Sequence, residues 1–134
     1  MSDEYPATAP AAASAVVLVV EDDYSVRRML QWALEDDGIA VAVAENGQQA
    51  NDWLDRSKPA LVLLDMGLPL VDGEGVAQHL HGRYGRSVPI LIVTADGHAA
   101  EKAAKVGAAD AINKPFDIDT LVARVQRLLP PDPE

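Results

Sequence analysis

Three short runs of this chain, Val16-Val17-Leu18-Val19-Val20, Leu61-Val62-Leu63-Leu64 and Ile90-Leu91-Ile92-Val93, are apolar at every position. A strand with one wet face alternates apolar and polar residues. These runs must therefore be covered on both faces, as strands of a parallel sheet are. Ile39 to Val43 and Ala109 to Ile112 are weaker strand candidates, the second poor in β-branched residues. Between the runs the period changes. Val26, Met29, Leu30, Ala33 and Leu34 form a helical stripe, with Gly38 placed to stop it. Ala50, Trp53 and Leu54 repeat the pattern after Asn46-Gly47, and Val76, Ala77 and Leu80 do so more weakly. Ala99, Ala103 and Val106 mark a fourth helix before Gly107. Asp117 is placed to cap a fifth, with the stripe Ile118, Leu121, Val122, Val125 and Leu129.

Five repeats of strand then helix predict an α/β fold. The expectation is an open five-stranded parallel sheet in the order 2-1-3-4-5, with right-handed crossovers and helices on both faces. A length of 134 residues suits one such domain, expected over residues 16–129, and no internal repeat is visible. Residues 1–15, rich in alanine and proline, read as a disordered tail, and 130–134 as a proline-rich acidic one.

Composition removes several function classes. With no cysteine there is neither a disulfide framework nor a thiolate zinc site. The 11 basic side chains are spread along the chain against 21 acids, a net charge of -10, which argues against direct nucleic-acid binding. No apolar run approaches the roughly 18 residues of a membrane span. The N-terminus lacks the basic flank of a secretory signal, so a cytoplasmic protein is expected.

In an open parallel sheet, ligands bind beyond the carboxyl ends of the strands, near the switch in strand order. Glu21-Asp22-Asp23 follow the first strand and Asp65 follows the third, its expected neighbour. Glu21, Asp22 and Asp65 should thus converge and repel one another unless a cation joins them. Oxygen-only ligands suit a hard divalent ion such as magnesium. Asp23, directly before the first helix, reads as its N-cap rather than a ligand. Thr94 at the end of the fourth strand and Lys114 after the fifth add a hydroxyl and an ammonium to the same edge. A carboxylate nucleophile, a metal, a hydrogen-bond donor and a fixed positive charge are what acceptance of a phosphoryl group requires.

Five segments at matching spacing make the sequence resemble the receiver domains of two-component response regulators. They are Val19 to Asp23, Leu63 to Gly73 with its Asp72-Gly73 turn, Thr94-Ala95, Gly107 to Asp110, and Lys114-Pro115-Phe116. The resemblance implies that Asp65 is phosphorylated from a phosphohistidine, on a histidine kinase or a histidine phosphotransfer protein. It also implies that Glu21, Asp22, Asp65 and the main-chain carbonyl of Gly67 hold Mg2+. Lys114 would pair with the phosphoryl oxygens, Thr94 would hydrogen-bond one of them, and the Lys114–Pro115 peptide would be cis. Such a chain is a regulatory phosphoacceptor rather than an enzyme. Its output is expected through contact with a downstream protein, on the face of the fourth helix, fifth strand and fifth helix. A receiver piece of a longer regulator or hybrid kinase would share the same chemistry.

The sequence departs from that pattern at Ala111, three positions before the lysine, where receivers usually carry an aromatic residue that moves with the threonine. Gly67 and Asp96, each two residues beyond a site residue, sit where receivers control the attack of water on the acyl phosphate. Among other residues, Trp53 reads as core, and Trp32, off its helix stripe, as partly exposed and a candidate partner contact. His79, His81 and His98 show no ligand spacing to an acidic partner and read as surface, and the stretch from His79 to Arg86 reads as a loop.

Three other readings remain in view. A haloacid-dehalogenase-type Mg2+-dependent phosphatase uses the same groups but resembles its relatives in a second aspartate, where this chain has Gly67, and there is no cap insertion. A flavodoxin-like cofactor binder needs a phosphate loop where Glu21-Asp22-Asp23 would repel one. A silent receiver-like scaffold would lack an acid, the threonine or the lysine, and all are present.

Overall fold

The computed structural model describes residues 16–67 and 72–130. The expected tails at 1–15 and 131–134 lie outside the described residues, as do positions 68–71 of the segment after Asp65. Among the described residues, five strands alternate with five helices: β1 Val16–Val20, α1 Tyr24–Asp36, β2 Ala40–Ala44, α2 Gly47–Arg56, β3 Leu61–Asp65, α3 Gly73–Tyr84, β4 Ile90–Thr94, α4 Ala99–Val106, β5 Asp110–Asn113 and α5 Ile118–Leu128. All pairings are parallel and the strand order is β2-β1-β3-β4-β5.

The apolar runs are buried on both sides because each face has its own core. On one face Leu18, Val20, Val62, Leu64, Ile90 and Ile92 pack with Ala50 and Leu54 of α2 and with Val76, Ala77 and Leu80 of α3. On the other Val17, Val19, Leu61, Leu63, Leu91 and Val93 meet Leu30 and Leu34 of α1 and Leu121 and Val125 of α5. Adjacent residues of one strand therefore feed different cores. Leu54→Ala, at a fully buried position, is expected to cost about 3 kcal/mol through lost burial and a cavity. Urea unfolding should show a lower midpoint with an unchanged slope.

Helix starts follow local chemistry. Asp23, Asn46, Asp72 and Asp117 each accept a backbone N–H three residues on, so Asp23 is the N-cap of α1 and Asp117 that of α5. Gly38 adopts φ +84° and ends α1, and Ile39 donates its N–H back to the Leu34 carbonyl at 3.0 Å. That bond commits Ile39 to the helix end, so β2 begins at Ala40 rather than at Ile39.

Two other expectations need correction. β5 spans Asp110–Asn113, one residue later than expected. It is held by its pairing with β4 and by Arg124, whose Nη1 donates to the Ala111 carbonyl at 2.8 Å. The stretch from His79 is helix up to Tyr84, not loop, and only Gly85, at φ +62°, breaks it. Gly82 costs that helix about 1 kcal/mol in propensity. Tertiary contacts outweigh the cost: Tyr84 Oη donates to the Leu54 carbonyl at 2.7 Å, and His79 and Arg83 both reach Asp55.

Candidate functional site

Register explains why the acids meet. Val20 pairs with Leu64, and Asp65 pairs with Val93. Glu21 and Asp65 are therefore the next residues outward on neighbouring strands, and Thr94 is the next on β4. The edge of the sheet also draws in Lys114, whose N–H donates to the Thr94 carbonyl at 2.7 Å. The Lys114–Pro115 peptide is cis.

The crevice is polar inside an apolar fold. Glu21, Asp65 and Thr94 are the buried polar side chains among the described residues, at 2%, 7% and 4% exposure. Glu21, Asp22 and Asp65 offer oxygens that all lie within 4.8 Å of one another, with Asp22 at the exposed rim. Lys114 Nζ stands 3.1 Å from Glu21 Oε1 and 3.6 Å from Asp65 Oδ2. Asp65 Oδ1 accepts the Gly67 N–H at 2.9 Å, which fixes the carboxylate's orientation.

One ammonium cannot balance three acids. Burial pushes the Glu21 pKa up to about 7, with a hydrogen bond and charge repulsion from Asp65 acting in the same direction. Burial pulls Lys114 down, but its pairing with Glu21 and Asp65 outweighs this and leaves its pKa raised. The donor set is entirely oxygen, its charge is in excess and one acid is driven towards protonation. Those properties fit a hard divalent cation.

Thr94 faces elsewhere. Its hydroxyl donates to Asp96 Oδ1 at 3.2 Å and accepts from Lys102 Nζ at 3.4 Å, while Lys102 Nζ lies 2.5 Å from Asp96 Oδ2. The hydrogen bond from Lys102, with that of the His98 N–H, holds Asp96 down at about 2, so it stays ionised.

Sequence reasoning missed two neighbours of the site. Arg27 Nη1 donates to the Glu21 carbonyl at 2.9 Å and to that of Asp22 at 3.4 Å, bracing the acidic loop from α1. Its place one turn into the helix capped by Asp23 was the available signal. Lys102 lies eight residues beyond Thr94, and no local pattern points to it. The histidines also need revision: His79 lies 2.7 Å from Asp55 and His98 2.6 Å from Glu101, so two of the three have acidic partners, both at the surface. Trp32 is 60% exposed, and Trp53 packs half-buried against the α2–α3 core.

An open parallel sheet with this acidic, lysine-bearing crevice at its carboxyl edge defines the receiver class of signalling domain. The family model of the response regulator receiver domain matches residues 17–126. The response regulator MprA of Mycolicibacterium vanbaalenii is 37% identical over 115 residues, which cover 84% of this chain and 49% of that protein. The chain thus spans about half the length of the curated relatives it matches. The chemotaxis protein CheY4 of Vibrio cholerae superposes with a TM-score of 0.79 at 29% identity, covering 86% of this chain and 98% of that one. The response regulator TrrA of Thermotoga maritima, solved in complex with Mg2+–BeF, does so at 0.78 and 29%, covering 86% and 99%.

This chain belongs to the response regulator receiver domain family. Domains of this family are regulatory modules of two-component systems and interact with histidine kinases. Among the described residues, no helix is long and apolar enough to cross a membrane.

Proposed function

We propose that this domain is a phosphoacceptor in a two-component or phosphorelay system and that Asp65 takes the phosphoryl group. The observation that carries the reading is the position of the Asp65 carboxylate: buried, oriented by the Gly67 N–H, 3.6 Å from Lys114 Nζ and clustered with the Glu21 and Asp22 carboxylates. An Asp65 oxygen attacks the phosphorus of a phosphohistidine on a histidine kinase or phosphotransfer protein. An O–P bond forms, the P–N bond breaks and the imidazole nitrogen leaves to be reprotonated. Lys114 meets charge on the phosphoryl oxygens, and Thr94 turns to donate its hydroxyl proton to one of them. Glu21, Asp22, Asp65 and the Gly67 carbonyl would hold Mg2+. Bound there, the ion supplies Lewis-acid neutralisation of the transferred group.

The signal leaves by contact between the α4–β5–α5 face and a downstream protein, in a separate partner or in the same polypeptide. A cytoplasmic setting and the absence of direct nucleic-acid contact fit the acidic surface. Gly67 leaves the approach to Asp65 open, since it carries no side chain and a Cβ there would stand 3.6 Å from Asp65 Oδ1. The phosphatase reading gains nothing from the geometry, because Gly67 offers no second carboxylate to act as an acid.

Incubation with acetyl phosphate and Mg2+ should add one phosphoryl mass, and chelation should prevent it. No addition in the wild type would contradict the reading. Repeated turnover of small phosphate esters would favour a phosphatase.

Proton linkage gives a second expected result. The folded protein takes up a proton at Glu21 as the pH falls through about 7. The unfolded chain does so only near the ordinary glutamate value of about 4.3. The raised pKa therefore contributes stability that is complete below that value and lost as the pH rises through about 7. Mg2+ requires the ionised form. Its apparent affinity should fall roughly tenfold per pH unit below about 7 and level off above it. Calorimetry in buffers of different ionisation enthalpy should detect the released proton.

A further inference from the structure

α4 buries little of itself. Of its eight residues, Ala99–Val106, Ala99 is buried and Ala103 and Val106 pack partly buried against the core, and its N-cap, His98, makes no side-chain capping bond. Polar ties add to this packing at its N-terminal end. Asp96 accepts the His98 N–H at 3.0 Å on Oδ1 and pairs with Lys102, on the second turn of the helix, through Oδ2. Both partners of that tie also touch the Thr94 hydroxyl. On the neighbouring strand Ala111 carries only a methyl group, so no large side chain there can follow a movement of Thr94.

A hydroxyl has one proton to donate. Here it goes to Asp96. If the same proton is to reach a phosphoryl oxygen on Asp65, Thr94 must release Asp96, and Lys102 loses its acceptor on Thr94 or follows it. Either change is felt directly at the first two turns of α4.

We infer that Asp96 and Lys102 are a positioning pair that couples Thr94 to α4, so that phosphorylation is reported by the rearrangement of one hydroxyl, one carboxylate and one ammonium. The inference rests on the phosphoacceptor reading of Asp65. The pair touches no reacting atom. It acts through Thr94, and its removal should uncouple α4 from the acceptor site. Asp96 and Lys102 act as one unit, so removing both should do little more than removing either.

The test uses the isotopically labelled chain with Mg2+ and beryllofluoride, a tetrahedral phosphoryl mimic, read by amide NMR. Met66 and Lys114 report occupancy at the acceptor, and residues 99–106 report α4. In the wild type both groups should shift. In Lys102→Met, at equal saturation of the Met66 and Lys114 signals, the α4 displacement should fall about threefold or more. Lys102→Arg should largely restore it, and Asp96→Asn provides a second variant should the first fold poorly. An α4 displacement in Lys102→Met or Asp96→Asn equal to the wild type at matched saturation would overturn the coupling while leaving the phosphoacceptor reading intact. A wild type whose Met66 and Lys114 signals do not respond would overturn both.

Discussion

Asp65→Asn is expected to abolish phosphoryl incorporation and, in metal-free buffer, to make the fold more stable. The amide has no anionic oxygen to attack phosphorus, so labelling should fall by more than about a hundredfold. Stability should rise because the substitution removes one of three clustered carboxylates. Asp65 contributes to the raised pKa of Glu21 both by hydrogen bond and by charge. Lys114 keeps its closer partner, Glu21 Oε1, at 3.1 Å. A gain of about 1 kcal/mol is expected, the usual direction when a strained functional group is neutralised. The gain should disappear in saturating Mg2+, where the wild type recovers more from the ion than the variant does. Urea titrations with and without the metal measure both arms.

Lys114→Met should have the opposite effect on stability. The methionine keeps most of the aliphatic stem but removes the positive charge from between Glu21 and Asp65, both buried. Leaving two buried acids without a counter-charge should cost about 2 kcal/mol, less than a fully enclosed pair would lose because the ammonium is partly solvated. Mg2+ should recover much of that loss in stability, since it neutralises the same acids. It should not recover phosphoryl uptake, because the ammonium is also needed by the transferred group. Thermal melts with and without the ion, beside acetyl phosphate labelling, separate the two roles. A variant labelled as fast as the wild type would remove Lys114 from the chemistry.

Much of this architecture was legible because parallel strands covered on both faces leave an unmistakable pattern. Val16–Val20 and Leu61–Asp65 are apolar almost throughout, so the neighbouring positions of Glu21 and Asp65 followed from strand order alone. Less was legible where long-range contacts overrule local preference. Gly82 and Gly85 suggested a loop from His79, yet the α3 helix persists through Gly82 because Tyr84, Arg83 and His79 are anchored on α2, 24 to 30 residues away. At Ile39 the conflict is more local, since its apolar side chain suits a strand while its N–H closes a helix. The clustered acids Glu21, Asp22 and Asp65 were readable as a set because their charges repel one another and call for a common partner. Lys102 was not, since a surface lysine on an alanine-rich helix has no distinguishing pattern until the fold brings it to Thr94 and Asp96.

The claim that matters most is that the phosphoryl group resides on the side chain at position 65. Reduction of the labelled protein with borohydride converts an aspartyl phosphate to homoserine, and peptide mass mapping then locates the residue. Homoserine at position 65, formed only with Mg2+ and a phosphohistidine or acetyl phosphate donor, is the predicted result. Homoserine at another acid, or phosphate held on a histidine or hydroxyl group, would contradict it.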